Sequence, residues 1–272
     1  MKNIFSSYTA KIIIVNVAAF FAFLVLSQVV GIEKATGWLA MQPVAIFSGQ
    51  KVWTLFTSMF MHANLTHLFV NMFSLFFIGN LVEKIIGKKR YLTFYLVSGI
   101  FAGFFFALLS FYFGNSLIGE RLFGNPMIFG VGASGAIFGL LGLLAFLTPR
   151  NRVYLIAGPI VAIILQVLLM RILPPSLGSA VDILVTIYIV LSIFFVFSFN
   201  PRTRRIALPI ELPFWLLPVV AIVPLLIIGL FVSLPIGNMA HLGGLLAGLA
   251  FGYYLVKKYP RRAALISRIF SK

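Results

Sequence analysis

Residues 130–148 read GVGASGAIFGLLGLLAFLT. The run carries no charge, opens on small residues around Ser134, and continues as an almost pure aliphatic segment. A helix needs about 20 mostly apolar residues to cross a bilayer core, so the run reads as a membrane helix with a hydroxyl at one end. Outward from it, similar stretches recur at 11–31, 66–86, 91–113, 153–173, 180–199, 213–232 and 239–256, about eight segments in all. Composition agrees, because 61% of the 272 residues are hydrophobic and 10% are charged, against roughly 25% charged in soluble domains. The expected fold is an all-α membrane protein, a polytopic helical bundle embedded as a single domain over 1–272.

The formal charge of +16 would point to nucleic acid in a soluble chain, but here it orients helices. If the N-terminus is cytoplasmic, every basic residue except Lys34, Lys51, Arg121 and Arg171 falls on the inner side. That asymmetry is what the positive-inside rule expects. It predicts a multi-pass protein of the cell membrane with both termini cytoplasmic, a retained first segment acting as signal anchor, and a basic cytoplasmic tail over 257–272. The tail interleaves apolar residues with its cations, so anionic headgroups are its expected partner, with no role for nucleic acid. The outer connection 32–63 is long, nearly uncharged and holds Trp38 and Trp53, as suits a loop lying partly in the outer leaflet.

Polar groups inside spans are costly and mark candidate sites. One set opens the second segment, with His62, His67 and Asn71; the last two are spaced i, i+4 and share a helix face. A second set is Gly132, Ser134, Gly135, Phe138 and Gly139 in the quoted run, and a third is Asn238, His241, Gly244 and Gly248. All three open segments that run inward under the charge-derived topology. Ser134 and His241 are 107 residues apart, and three intervening spans keep their helices parallel. A serine hydroxyl becomes a nucleophile when a base accepts its proton, which His241 can do. His67, Asn71 and the Ser134 N–H can supply donors to an oxyanion. Ala240, Gly244, Gly248 and Gly252 recur every four residues, a flat stripe suited to packing on Gly135 and Gly139. Phe138, one turn after Ser134, can stack on an imidazole where a third, acidic member would otherwise stand.

Other readings stay open on these residues alone. A Gly-x-Ser-Gly at a helix start is more often packing than catalysis, and His and Asn residues inside a bundle can line a proton or ion path. Some chemistry is excluded by inventory. There is no cysteine for thiolate or Cys-ligated metal chemistry, no His-Glu-x-x-His for zinc, and a single aspartate, Asp182, where an aspartyl site needs two. No metal or cofactor is expected.

Taken in order, these motifs resemble the rhomboid family of intramembrane serine proteases. Trp53 to Met61 resembles that family's first-loop element, His62, His67 and Asn71 its His-x4-His-x3-Asn motif, and Gly79, Glu83 and Gly87 its Gly-x3-Glu-x3-Gly run. Gly132-Ala133-Ser134-Gly135 resembles the nucleophile motif, and Ala240-His241-Leu242-Gly243-Gly244 with Gly248 the base-bearing helix. The resemblance implies a six-span core, Ser134 as nucleophile, His241 as general base, and His67, Asn71 and the Ser134 amide around the oxyanion, with His62, Gly132, Phe138 and Asn238 in support. It also implies a capping loop over 233–237 and single-span membrane proteins as substrates, cut near their outer ends. An inactive binder or chaperone on the same fold is the alternative. Thr54 stands where the family usually has Arg, so the first loop must be anchored differently, and Phe138 stands where Tyr is common. Two extra helices, about 153–199, appear as an insertion between the Ser and His segments.

Overall fold

The structure, a computed structural model, describes residues 7–196, 200–231 and 237–270. The chain folds as two compact units, one made of Met1–Arg150 with Phe214–Lys272, the other of Asn151–Pro213.

In the larger unit, α1 (Tyr8–Val30) starts at Ser7, whose side chain caps the Ala10 N–H, and stops at Gly31, where φ is +88°. The outer connection then folds as three short helices, α2 (Ile32–Leu39), α3 (Pro43–Phe47) and α4 (Thr54–Thr57), with a 3-10 turn at Ser58–Phe60. Next come α5 (Leu65–Ile86), α6 (Lys88–Phe113), α7 (Leu117–Phe123) and α8 (Ser134–Leu147). The smaller unit supplies β1 (Arg152–Ile156), α9 (Ala157–Leu169), α10 (Gly178–Val196), α11 (Pro201–Arg204) and β2 (Pro209–Pro213). The chain returns to the larger unit for α12 (Leu217–Phe231), α13 (Asn238–Lys258) and α14 (Pro260–Phe270).

The quoted run becomes the centre of the larger unit. All residues of α8 are buried except Ser134, Phe138 and Phe146, as a helix apolar on every side must be. Its neighbours are α5, α6, α12 and, most extensively, α13. By contrast α1 turns Ile14, Phe21 and Val25 outward, the face a helix presents to lipid.

At the end of the unit remote from Ser134, Glu83 on α5 collects the start of α1. Its carboxylate accepts from the Ser7 and Thr9 hydroxyls and from the Tyr8 and Thr9 N–H groups, at 2.7–2.9 Å. A carboxylate here satisfies helix-start donors that have no partner within their own helix.

Among the described residues, eight apolar helices overlap the eight sequence segments, but they are not equal. Five are long and apolar enough to cross a membrane: Tyr8–Val30, Leu65–Ile86, Lys88–Phe113, Pro175–Val196 and Asn238–Lys258. Ser134–Leu147, Ala157–Leu169 and Leu217–Phe231 are shorter. Among the described residues, the expected count of about eight spans is thus matched by five helices of spanning length, with three shorter apolar helices beside them. For α8 the reason is local: Gly130 to Ala133 stay non-helical, so the helix begins at Ser134 and reaches only about 21 Å at 1.5 Å per residue. Irregular backbone at membrane depth is tolerated where protein surrounds it.

The all-helical expectation is also amended. Residues 152–156, read as the start of an apolar span, pair antiparallel with 209–213 in the smaller unit, Arg152 opposite Pro213 and Ile156 opposite Pro209. The segment Arg-Val-Tyr-Leu-Ile alternates in exposure and favours a pleated edge over a helix start. A diagonal ion pair, Arg152 to Glu211 at 3.8 Å, joins the same two strands. Helices α9 and α10 pack together within this unit, where the Gln166 amide donates to Asp182.

In the larger unit, the chain that leaves after α8 and returns before α12 is fastened by the Trp215 N–H donating to the Pro149 carbonyl. Departure and return thus sit at one end of α8. The chain then climbs through α12 and descends through α13, which sets the starts of α8 and α13 side by side.

Candidate active site

Ser134 is the first residue of α8. Its backbone N–H has no acceptor within the helix, and it sits at the positive end of the helix dipole. His241 lies one turn into α13, and its Nε2 is 2.9 Å from Ser134 Oγ.

Close helix packing brings them together. A Cβ at Gly244 would strike the Gly135 carbonyl oxygen, and one at Gly248 the Gly139 carbonyl oxygen. The two backbones meet in van der Waals contact along these positions, so only glycine fits. The same register sets the Phe138 ring flat on the His241 imidazole, centroids 4.2 Å apart and planes within 9°. His241 Nδ1 is buried with no hydrogen-bond partner among the described residues. Among the described residues no carboxylate reaches it.

The third element is the start of α5. Asn64 caps it, its side chain accepting from the His67 N–H at 2.7 Å. His67 Nδ1 accepts from the Ala63 N–H at 3.4 Å, which leaves the proton of the neutral ring on Nε2. That edge of the ring faces Gly132, where φ is +128° and a Cβ would stand 2.9–3.0 Å from the imidazole and 3.8 Å from Ser134 Oγ. Gly132 thus keeps open the space that His67 and Ser134 share. Asn71 is buried, and its Nδ2 donates one bond to the His67 carbonyl at 2.9 Å. His62 is buried with its ring edge-on to His67 at 5.1 Å. Burial, and secondarily the His67 ring, push its pKa down to about 3, so it packs as a neutral group. Asn238 is buried at the start of α13 with its Oδ1 unpartnered, and no hydrogen bond among the described residues joins it to Ser134 or His241. Of the expected capping loop, residues 233–236 lie outside the described residues.

Two supports came with no side-chain signal in the sequence. The Gly132 N–H donates to the Ser58 carbonyl at 2.9 Å, and Gly130 and Met41 exchange both backbone bonds. These main-chain contacts hold the approach to Ser134 against the first outer connection, and main-chain bonds are indifferent to residue type. That connection is tied down without the arginine usual at position 54. Thr54 is buried and its hydroxyl donates to the Lys51 carbonyl, the Thr57 hydroxyl donates to Leu39, and the Trp53 indole N–H donates to Trp38. Among the described residues no group of His, Asp and Glu is arranged to hold a metal ion.

A family model described as the Rhomboid domain matches residues 49–187 and 185–258. The chain belongs to the rhomboid family. The matched residues take in Ser134, His241, His67 and Asn71. Among relatives, this rhomboid is 42% identical over 94 residues to RHOMBOID-like protein 1 of Arabidopsis thaliana, covering 35% of this chain and 20% of that protein. It is 38% identical over 95 residues to the putative rhomboid protease YdcA of Bacillus subtilis, covering 35% and 41%. It is 28% identical over 159 residues to the rhomboid protease GlpG of Salmonella choleraesuis, covering 57% and 50%. The similarity spans half or less of each relative's length. Family and apolar helices together make this rhomboid a membrane protein.

Proposed function

We propose that this rhomboid is an intramembrane serine endopeptidase that hydrolyses a peptide bond in a transmembrane-helix substrate near the outer leaflet. The 2.9 Å contact between Ser134 Oγ and His241 Nε2 carries the reading. As Ser134 Oγ attacks the substrate carbonyl, His241 Nε2 takes the hydroxyl proton, and the carbonyl oxygen becomes an oxyanion. The Ser134 N–H and His67 Nε2–H border the space kept open at Gly132, where donors of this kind would receive that charge. Asn71 Nδ2 has a second hydrogen to offer beside the one it gives to His67. His241 then returns its proton to the leaving amine, and an acyl-Ser134 ester remains. Water attacks this ester, with His241 again as base, and frees the serine.

With no acid behind it, the imidazolium formed in each step is held by the Phe138 face, whose negative quadrupole attracts a stacked cation. Supports for the reading include the glycine-bound register of α8 and α13 and the rhomboid proteases among the relatives.

The test is labelling of the detergent-solubilised protein by a fluorophosphonate probe, with wild type, Ser134→Ala and His241→Ala compared. Wild type is expected to label and both variants to lose labelling while keeping their unfolding temperature. Equal labelling of all three would remove the dyad. An inactive binder predicts no labelling of wild type.

The charge distribution further supports a cell-membrane location with both termini cytoplasmic and the Ser134 end outward. The chain lacks cysteine, so Asn115→Cys and Ala264→Cys report cleanly on topology. An impermeant maleimide is expected to reach the first in intact cells and the second only after permeabilisation.

A further inference from the structure

At the end of the larger unit remote from Ser134 lies a cavity of about 290 Å³ between the α5–α6 turn, α8, α13 and α14. Lys84, Arg90 and Arg262 line it, over a floor that includes Ile86, Leu147 and Ile266. Its volume suits a headgroup and glycerol better than a whole lipid.

Among the described residues the three cations have no protein counter-charge. None makes an ion pair among the described residues, and Glu83, the side-chain carboxylate at this end of the unit among those residues, is committed to Ser7, Tyr8 and Thr9. Arg90 is set in place by Tyr259, with its guanidinium 5.1 Å from the ring centroid and a 3.4 Å bond to the hydroxyl.

The placement of Arg262 is the second observation. At 100° per residue along α14, Arg261 and Arg268 fall together on one side, whereas Arg262 falls between Ile266 and Ile269 inside the apolar arc. A cation there needs an anion that arrives with apolar surface. The same helix leaves Leu265 and Ile269 exposed, as for a helix lying at a headgroup–acyl boundary.

We infer that this cavity binds the phosphate of an anionic phospholipid, with Lys84, Arg90 and Arg262 around the phosphate and the glycerol end of the lipid against Ile86, Leu147 and Ile266. Guanidinium groups bind phosphate oxygens through paired N–H donors, and Lys84 adds a point charge. The apolar floor and the adjoining lipid-facing helix favour a lipid over a soluble phosphate. The site is distinct from the proposed peptidase centre, and its readout is lipid retention, so either proposal can fail without the other.

The experiment uses the full chain in detergent, with retained lipid counted by native mass spectrometry. Phosphatidylglycerol and phosphatidylcholine of identical acyl chains are offered at equal concentration. Phosphatidylglycerol is expected to be retained at least tenfold better, and Lys84→Gln/Arg262→Gln to lose about tenfold in that retention. Lys257→Gln/Arg261→Gln, which removes the same charge at the same end but outside the cavity, is expected to lose less than twofold. The altered side chains are exposed; should the cavity double variant fail to fold, Arg262→Gln alone serves. Equal losses from the two double variants would reduce the effect to general surface charge, and equal retention of the two lipids would leave only apolar contact. Displacement by soluble glycerophosphoglycerol at matching concentration would show a soluble-phosphate site. Each of these results overturns the proposal.

Discussion

The Phe138 ring stacks on the His241 imidazole at 4.2 Å and 9°, while His241 Nδ1 has no hydrogen-bond partner among the described residues. An aromatic face therefore holds the ring where a carboxylate would hold it in a triad. Phe138→Leu removes the face and keeps much of the volume. Turnover of a reconstituted transmembrane substrate is expected to fall about tenfold, in line with about 1–2 kcal/mol for a desolvated cation over a ring. Phe138→Tyr is expected to stay near wild type.

Gly244 and Gly248 define how close α13 comes to α8. Gly244→Leu must push the helices apart, because its Cβ alone would meet the Gly135 carbonyl. Overpacking of this kind costs about 1–3 kcal/mol, and it also lengthens the Ser134–His241 contact. Loss of both unfolding temperature and fluorophosphonate labelling is expected. Gly103→Ala, whose added Cβ meets Leu55 at an ordinary 3.6 Å, is expected to change neither.

Glu83 works far from the dyad. Glu83→Gln keeps the shape but loses the charge and half of the acceptor capacity that Ser7, Tyr8 and Thr9 use. Bonds to a charged acceptor contribute about 1.5–3 kcal/mol, so denaturation midpoints should drop accordingly. Labelling per folded molecule is expected to hold.

His62 should leave its mark on stability against pH. Its folded pKa is about 3, below the 6.5 of an unfolded histidine. Between these values the unfolded chain binds a proton that the folded one refuses. Stability from this group is complete above about 6.5 and is lost as pH falls toward 3, at up to about 1.4 kcal/mol per pH unit. His62→Gln is expected to flatten that slope in equilibrium unfolding, and an unchanged slope would deny that His62 is held neutral.

Much of this was legible in order along the chain. Apolar runs located the helices, basic residues suggested their direction, and the spacing of His67 with Asn71 and of Ala240 with Gly244 and Gly248 set shared faces, because a helix repeats every 3.6 residues whatever surrounds it. The short strands at 152–156 and 209–213 were not legible, because an apolar run can extend as readily as coil and only a partner strand decides. The length of α8 was hidden for a related reason. Glycines at 130 and 132 permit a helix but do not require one, and the backbone bonds to Met41 and Ser58 draw them into an extended path.

Taken by itself, the sequence determined a membrane-embedded helical protein, its family motifs, and the inventory that removes cysteine and aspartyl-pair chemistry. Tertiary structure decided that Ser134 stands at a helix start with His241 at hydrogen-bond distance, that Phe138 and not an acid backs the imidazole, and that Lys84, Arg90 and Arg262 converge on one cavity. Periodicity is a property of one helix at a time. Distances between helices depend on how far two backbones can approach, and that was settled where Gly135 meets Gly244 and Gly139 meets Gly248.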